Sequence, residues 1–403
     1  MSAAFDRIRA RLRRSSPRVG VTPPLSDWER RRLVAERHFV PWLEQVISLS
    51  GRTVLEYGCG NGCVSAAFGP RAGRYIGLDI DAGAVEDARR LLAQRGMEPE
   101  LVAAPSSRIL SETAAFRGEV DVFLCYAVLE HMSLDERLAL LELAQQVVRP
   151  TGVVVVVETP NRLTPWDYHT SQLPFLYQLP DELALRYFDR SPRTEFVDAL
   201  RASAANGDEA LRETLTRWGR GVSYHEFELI FGDLSRHVLA SSWDPVLLPE
   251  RNIYREELAL QRILDTARPD LPPSFSRYWL DLVLAPEPRP EPARFVRPWS
   301  LRTAGSSSVA FDVSETLRMY AADAVLAVDL PTASARLVIG AQSDARRLEI
   351  SVRQVANEEE ERAIASVAPD APGHAEVRFR RPADRYEVRI GGLGWITFVG
   401  YEA

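Results

Sequence analysis

Thr53-Val-Leu-Glu-Tyr-Gly-Cys-Gly-Asn-Gly62 is the stretch that decides the fold. Its apolar run ends on Glu56, after which Gly58, Gly60 and Gly62 alternate with small or polar residues. About twenty residues on, a second apolar run, Arg74-Tyr-Ile-Gly-Leu-Asp79, ends on another acid. Strand, glycine turn, helix, strand and acid form the mononucleotide-binding half of a doubly wound, mostly parallel α/β sheet. The turn glycines let the backbone approach a ligand, and the acid after the second strand can accept from both ribose hydroxyls.

Two ligand classes use this layout. A dinucleotide favours G-x-G-x-x-G, whose third glycine would fall on Cys63, one residue after Gly62. Glu56, at the end of the first strand, would repel a pyrophosphate. It suits a ligand carrying an ammonium and a sulfonium, which is S-adenosylmethionine (SAM).

At these residues the chain resembles the class I SAM-dependent methyltransferases. The matching segments are Val54-Leu-Glu-Tyr-Gly-Cys-Gly-Asn-Gly62, Gly77-Leu-Asp-Ile80, Val120-Asp-Val-Phe-Leu-Cys-Tyr-Ala-Val-Leu-Glu-His131 and Arg149-Pro-Thr-Gly-Val-Val-Val-Val-Val157, in the family's order. The likeness covers residues 30–285 and is specific as far as residue 162. It implies a Rossmann-like methyltransferase fold with SAM as cofactor. It places Glu56, Gly58 and Gly60 at the methionine end, Asp79 at the ribose and Ile80 against the adenine. Tyr57, Cys59, Tyr126 and Ala127 complete the expected cofactor contacts. The family often has an acid after the third strand, near the adenine amino group. Here Glu100-Leu-Val-Ala-Ala104 runs into Pro105, Ser106 and Ser107, so the Ser106 hydroxyl or a backbone group takes that place.

The rest of the chain sets the domain plan. A length of 403 residues with 46% hydrophobic content allows two domains with sizeable cores. Residues 1–25 form a basic arm with Arg7, Arg9, Arg11, Arg13, Arg14 and Arg18. Ser26-Asp-Trp-Glu29 reads as a capping box opening a helix that closes over the cofactor. The methyltransferase domain spans 26–285, with a polar-aromatic, irregular substrate lid at 160–222 after a strand end, where α/β ligands bind. The last strand, Tyr278–Leu284, is expected to run antiparallel. A Pro-rich linker, 286–300, leads to residues 301–403, where the period switches to two and about seven strands suit a β-sandwich-like accessory domain. Glu358-Glu-Glu-Glu361 reads as a solvated loop or helix face.

Composition narrows the partners. The net charge is −7, so no nucleic-acid partner is expected. No run is apolar enough to span a bilayer, and no signal-like segment follows the start, so the expected location is cytoplasmic. Cys59, Cys63 and Cys125 form no disulfide or zinc pattern and read as buried thiols. All 49 basic residues are arginine, which excludes lysine chemistry and points to a GC-rich bacterial genome. The terminal domain or the basic arm is the expected surface for a homo-oligomer.

The chemistry needs in-line alignment of an acceptor with the activated methyl and, for a hydroxyl acceptor, removal of its proton. His131, in Leu129-Glu-His131 after the fourth strand, and His169, in the lid, are the candidate bases, with Glu130 and Asp167 orienting them. Equally, His131 and His169 can be residues that bond backbone in support of the fold. Glu130, His131 and His169 also have metal-ligand chemistry. The set is one short of that in small-RNA 3′-end methyltransferases, where Ala127 is acidic, and no metal is expected. The leading expectation is O-methylation of a hydroxylated small molecule such as a sugar, glycan or natural product. The alternatives are N- or C-methylation of a small natural product, or a non-catalytic SAM- or glycan-binding assembly protein.

Overall fold

The computed structural model describes residues 25–402 except 245–246, 248–250, 252–254, 293–295, 300–308, 312–316, 320–324, 344–346, 368–372 and 392–393. The basic arm therefore lies outside the described residues apart from Leu25.

Seven strands form the first sheet, in the order β3-β2-β1-β4-β5-β7-β6. They are β1 (Thr53–Tyr57), β2 (Arg74–Asp79), β3 (Glu100–Ala103), β4 (Val120–Tyr126), β5 (Val148–Pro160), β6 (Val238–Ser241) and β7 (Trp279–Leu284). β1 pairs in parallel with both β2 and β4, so the strand order reverses at that point. A crevice opens there, beyond the carboxyl ends of the two strands. β7 inserts antiparallel between β5 and β6, as the expected final strand does.

Both faces of this sheet are covered, which is why its strands read as nearly continuous apolar runs. In β4, Phe123 and Cys125 enter one buried cluster, while Val122, Leu124 and Tyr126 enter the cluster on the other face. The helix Leu134–Val147 opens on a reciprocal capping box. The Ser133 N–H donates to Glu136 Oε2 at 2.7 Å, and the Glu136 N–H donates to Ser133 Oγ at 3.3 Å. At Ser26 only half of that motif forms: the Glu29 N–H donates to Ser26 Oγ, but the Glu29 carboxylate turns to Arg32 and Arg95 instead.

The segment 160–222 is more ordered than its composition implies. It contains helices Asp181–Tyr187, Thr194–Ala204 and Asp208–Trp218. Phe196, Val197 and Leu200 recur at helical spacing on Thr194–Ala204 and bury together with Leu215 of the next helix, Leu176 and Phe188 in a small core of their own. The polar-aromatic bias at the start of the segment hid this period.

The second part is an all-antiparallel sheet of eight strands. Two long strands, Leu326–Gln342 and Gly373–Ile390, each join two runs that the sequence separates. The first breaks register between Asp329 and Arg336, which lets it turn without ending. The Glu358–Glu361 run divides: Glu358 and Glu359 lie in a loop as expected, whereas Glu360 and Glu361 open an edge strand, Glu360–Ser366, paired with Arg347–Gln354. Charges exposed along an edge strand oppose pairing with another chain, a sufficient reason for so polar a strand.

Candidate functional site

The carboxyl ends of β1, β2 and β4 surround a cavity of about 370 Å³. Its lining includes all ten residues expected at the cofactor: Glu56, Tyr57, Gly58, Cys59, Gly60, Asp79, Ile80, Ser106, Tyr126 and Ala127. Gly58 and Gly60 adopt φ values of +80° and +48°, in the left-handed region that favours glycine. A Cβ at Gly58 would meet Val128 Cγ2 at 2.4 Å, so the close packing of this turn excludes a side chain. A Cβ at Gly60 would meet nothing within 4 Å, because that face opens on the cavity. The turn is clamped by Asp79, whose Oδ2 accepts from the Gly60 N–H at 2.7 Å and whose Oδ1 accepts from the Asp81 N–H at 2.8 Å.

Glu56 is almost fully buried, and its Oε2 accepts from Ser65 Oγ at 2.5 Å and Tyr75 OH at 2.8 Å. Burial pushes its carboxyl up to about 7, against the lowering effect of those two hydroxyls. The helix Asp27–Val34 closes one side, where Trp28 Nε1 donates to the Asn61 carbonyl at 3.0 Å and Arg31 reaches the cavity wall. Ser106 begins the helix Ser106–Ala114, and Ala127 leaves β4 with φ +54°. That left-handed step turns the chain into the short 3-10 helix Leu129–His131.

A second cavity, of about 460 Å³, adjoins the first. Arg31, His131 and Arg217 line both, and His169, Arg193 and Trp218 belong to the second. Arg193 lies over the Trp218 ring at 4.8 Å. His131 and His169, 38 positions apart in sequence, thus meet with ring centroids 5.4 Å apart. Burial lowers both imidazoles, His169 to about 4, so both are neutral at physiological pH.

Glu130 sits fully buried behind the two histidines, with Oε1 at 3.7 Å from His131 Nε2 and 3.9 Å from His169 Nε2. Neither of its carboxylate oxygens has a hydrogen-bond partner, and burial pushes the group up to about 8. Its backbone is pinned by Arg220 N–H, which donates to the Glu130 carbonyl at 2.8 Å. Buried Arg137 bonds the carbonyls of Leu129, Arg220 and Gly221.

Asp167 is corrected. Its carboxylate accepts from the Thr170 N–H, the Ser171 N–H and the Ser171 hydroxyl, holding the loop rather than the His169 ring. Glu130 faces that ring in its place. Sequence reading also missed Arg31, Arg137, Arg193, Arg217 and Trp218. Arg193 caps the start of the helix Thr194–Ala204 and the other four lie on helices, and nothing local marks any of them as facing a cavity.

Residues 54–152 match a family model described as a methyltransferase domain. The ubiquinone biosynthesis O-methyltransferase of Stutzerimonas stutzeri (strain A1501) is 28% identical over 28% of this chain and 47% of its own length. That of Pseudomonas paraeruginosa (strain DSM 24068 / PA7) is 30% identical over 30% of this chain and 50% of its own. The chain thus spans about half the length of these curated relatives. Among solved structures, magnesium protoporphyrin IX methyltransferase from Synechocystis PCC 6803 is 17% identical, with a TM-score of 0.33, over 60% of this chain and 87% of that one.

Proposed function

We propose that this chain, whose residues 54–152 are a methyltransferase domain of the class I, SAM-dependent family, methylates an oxygen of a hydroxylated small molecule. The observation that carries the reading is the pair of adjoining cavities, with His131 on the wall they share. SAM supplies a methyl already activated by its sulfonium. Glu56 attracts the positively charged methionine end, and Gly60 leaves room for it. Asp79 accepts from the ribose hydroxyls, while Ile80 and Ser106 flank the adenine.

The acceptor occupies the second cavity, against Trp218 and Arg193. Its hydroxyl points to the shared wall, in line with the methyl. The hydroxyl proton passes to the Glu130–His131–His169 cluster, where neutral imidazole nitrogens can take it. Segment 160–222 acts as the lid that encloses this acceptor. The relatives' names support oxygen as the accepting atom, but they say nothing for a carbohydrate.

Incubating the protein with methyl-labelled SAM and a panel of phenols, sugars and hydroxylated natural products tests this. Labelled methyl ether is expected from at least one. If SAM does not bind by calorimetry, or labelled product carries its methyl on nitrogen or carbon alone, the reading fails.

A further inference from the structure

Glu130 and two imidazole nitrogens converge at the shared wall, and neither imidazole carries a hydrogen on the nitrogen that faces the carboxyl. The His131 Nδ1 lies 2.8 Å from the Arg217 carbonyl oxygen, which can only accept, so Nδ1 carries the ring proton. The Thr170 hydroxyl lies 3.0 Å from the Gly219 carbonyl oxygen and 3.3 Å from that of Trp218, so its proton goes to a carbonyl. It therefore accepts from the His169 Nδ1–H at 3.0 Å. Both rings then turn an unprotonated Nε2 toward the same Glu130 oxygen. The separations of 3.7 and 3.9 Å are too long for hydrogen bonds, so one proton on Glu130 satisfies neither ring. Glu130 is fully buried with both oxygens unpartnered, an arrangement that a positive ion among the three groups would relieve.

We propose that Glu130, His131 and His169 bind one divalent first-row transition cation. The three ligand atoms lie within 4.8 Å of one another. A cation of this class holds nitrogen and oxygen at about 2.0–2.2 Å, placing its ligands roughly 3.0–3.5 Å apart, so side-chain adjustments of less than an ångström or so close the set. Two imidazoles and one carboxylate favour such a cation over magnesium or calcium, which prefer all-oxygen sets. Each imidazole is already oriented through its far nitrogen, as metal-bound histidines are. Two of the four nearby guanidiniums are compensated, Arg137 by Glu226 at 3.2 Å and Arg217 by Glu136 at 3.0 Å, while Arg31 and Arg193 on the cavity wall oppose the cation. Both histidines line the second cavity, so the remaining coordination positions face it.

This deepens the proposed function, and the part the cation plays there rests on that reading. An acceptor hydroxyl on the cation becomes acidic enough to ionise near neutral pH, releasing its proton to solvent. The imidazoles then hold the cation rather than taking the proton themselves. Cation binding itself stands on the cluster alone.

The test is calorimetric titration of chelator-stripped full-length protein with Zn²⁺, and with Co²⁺ followed by visible absorption. One ion per chain is expected, with a visible Co²⁺ band and Mg²⁺ unable to displace it. Glu130→Gln and His169→Ala should each weaken Zn²⁺ binding roughly a hundredfold, and Thr170→Val roughly tenfold through the lost support of His169. Absence of stoichiometric binding and of the band in the unmodified protein overturns the proposal, as does binding that both ligand variants leave unchanged while circular dichroism shows them folded. Protein that binds SAM but no Zn²⁺ refutes the cation site alone. Protein that binds Zn²⁺ but no SAM refutes only the methyl-transfer reading.

Discussion

His131 and Arg217 are bonded to each other twice across 86 residues of sequence: the His131 Nδ1 meets the Arg217 carbonyl at 2.8 Å, and the Arg217 guanidinium donates to the His131 carbonyl at 2.8 Å. Arg217 also holds Glu136 through both nitrogens at 3.0 Å. One side chain therefore fastens the helix Asp208–Trp218 to the mouth of the cavity at the ends of β1, β2 and β4.

Arg217→Ala should loosen that fastening. The expected result is a fall in kcat/KM for the acceptor on the order of tenfold to a hundredfold, through misplacement of His131. Steady-state kinetics with acceptor varied at saturating SAM measures it, and calorimetry should show a smaller loss of SAM affinity. Unchanged acceptor kinetics would detach the lid from the reaction.

The two turn glycines should respond differently to alanine. Gly58→Ala meets Val128 at 2.4 Å on a backbone with φ +80°, so it should lower the thermal midpoint as well as SAM binding. Gly60→Ala meets no neighbour, and its strain at φ +48° is about 1–2 kcal/mol. It should leave the protein folded while filling the cofactor's space, weakening SAM binding by a hundredfold or so. Equal SAM affinity in Gly60→Ala and the unmodified chain would move the cofactor elsewhere.

SAM affinity should depend on pH through Glu56. Burial holds its carboxyl at about 7, so it gains charge as pH rises through that value and loses it below. Attraction for the cationic methionine end is thus present at pH 8 and weakened at pH 6, by roughly tenfold in Kd. Calorimetry at both values measures this, and Glu56→Gln should flatten the profile. In the ligand-free protein the same raised value acts on stability in the opposite sense. The native state keeps its proton while the unfolded chain ionises from pH 4.5 upward, so this contribution is lost between pH 4.5 and about 7.

Asp121 should carry stability of the opposite pH sign. Burial raises its carboxyl, but the Thr53 N–H, Arg52 and Arg149 outweigh burial and hold it below the usual carboxylate range. A lowered value stabilises above pH 3.8, and that stability is lost as pH falls through the lowered folded-state value. Asp121→Ala should cost about 1–2 kcal/mol in denaturant unfolding at pH 7, chiefly through the Thr53 N–H left without its acceptor, since Arg52 and Arg149 stay partly exposed to water. It stands at the start of β4, opposite the site, so SAM affinity should survive in the folded fraction.

Much of the cavity at the ends of β1, β2 and β4 was legible because its residues sit at strand ends in short motifs. Glu56, Gly58, Gly60 and Asp79 lie within 24 positions, and the parallel pairing of β1 with β2 brings them together without further information. The antiparallel domain was legible as strands, since alternation is local. Its edge strand Glu360–Ser366 was not, because charge density masked the period. The helices of segment 160–222 were hidden likewise under a polar-aromatic opening. Asp167 misled because adjacency in sequence suggested a partner for His169, whereas the tight loop turned that carboxylate onto its own backbone.

By itself the sequence determined a glycine-turn crevice between two acids, because turn chemistry and strand period are written within a few residues of each other. Only the tertiary structure decided that His131 and His169 point the same nitrogen at one buried, unpartnered Glu130. That convergence depends on segment 160–222 folding back onto the turn Leu129–His131 after β4 and on carbonyls of Arg217 and Gly219 choosing each ring's tautomer. Contacts of that range are set by packing, and no local pattern encodes them.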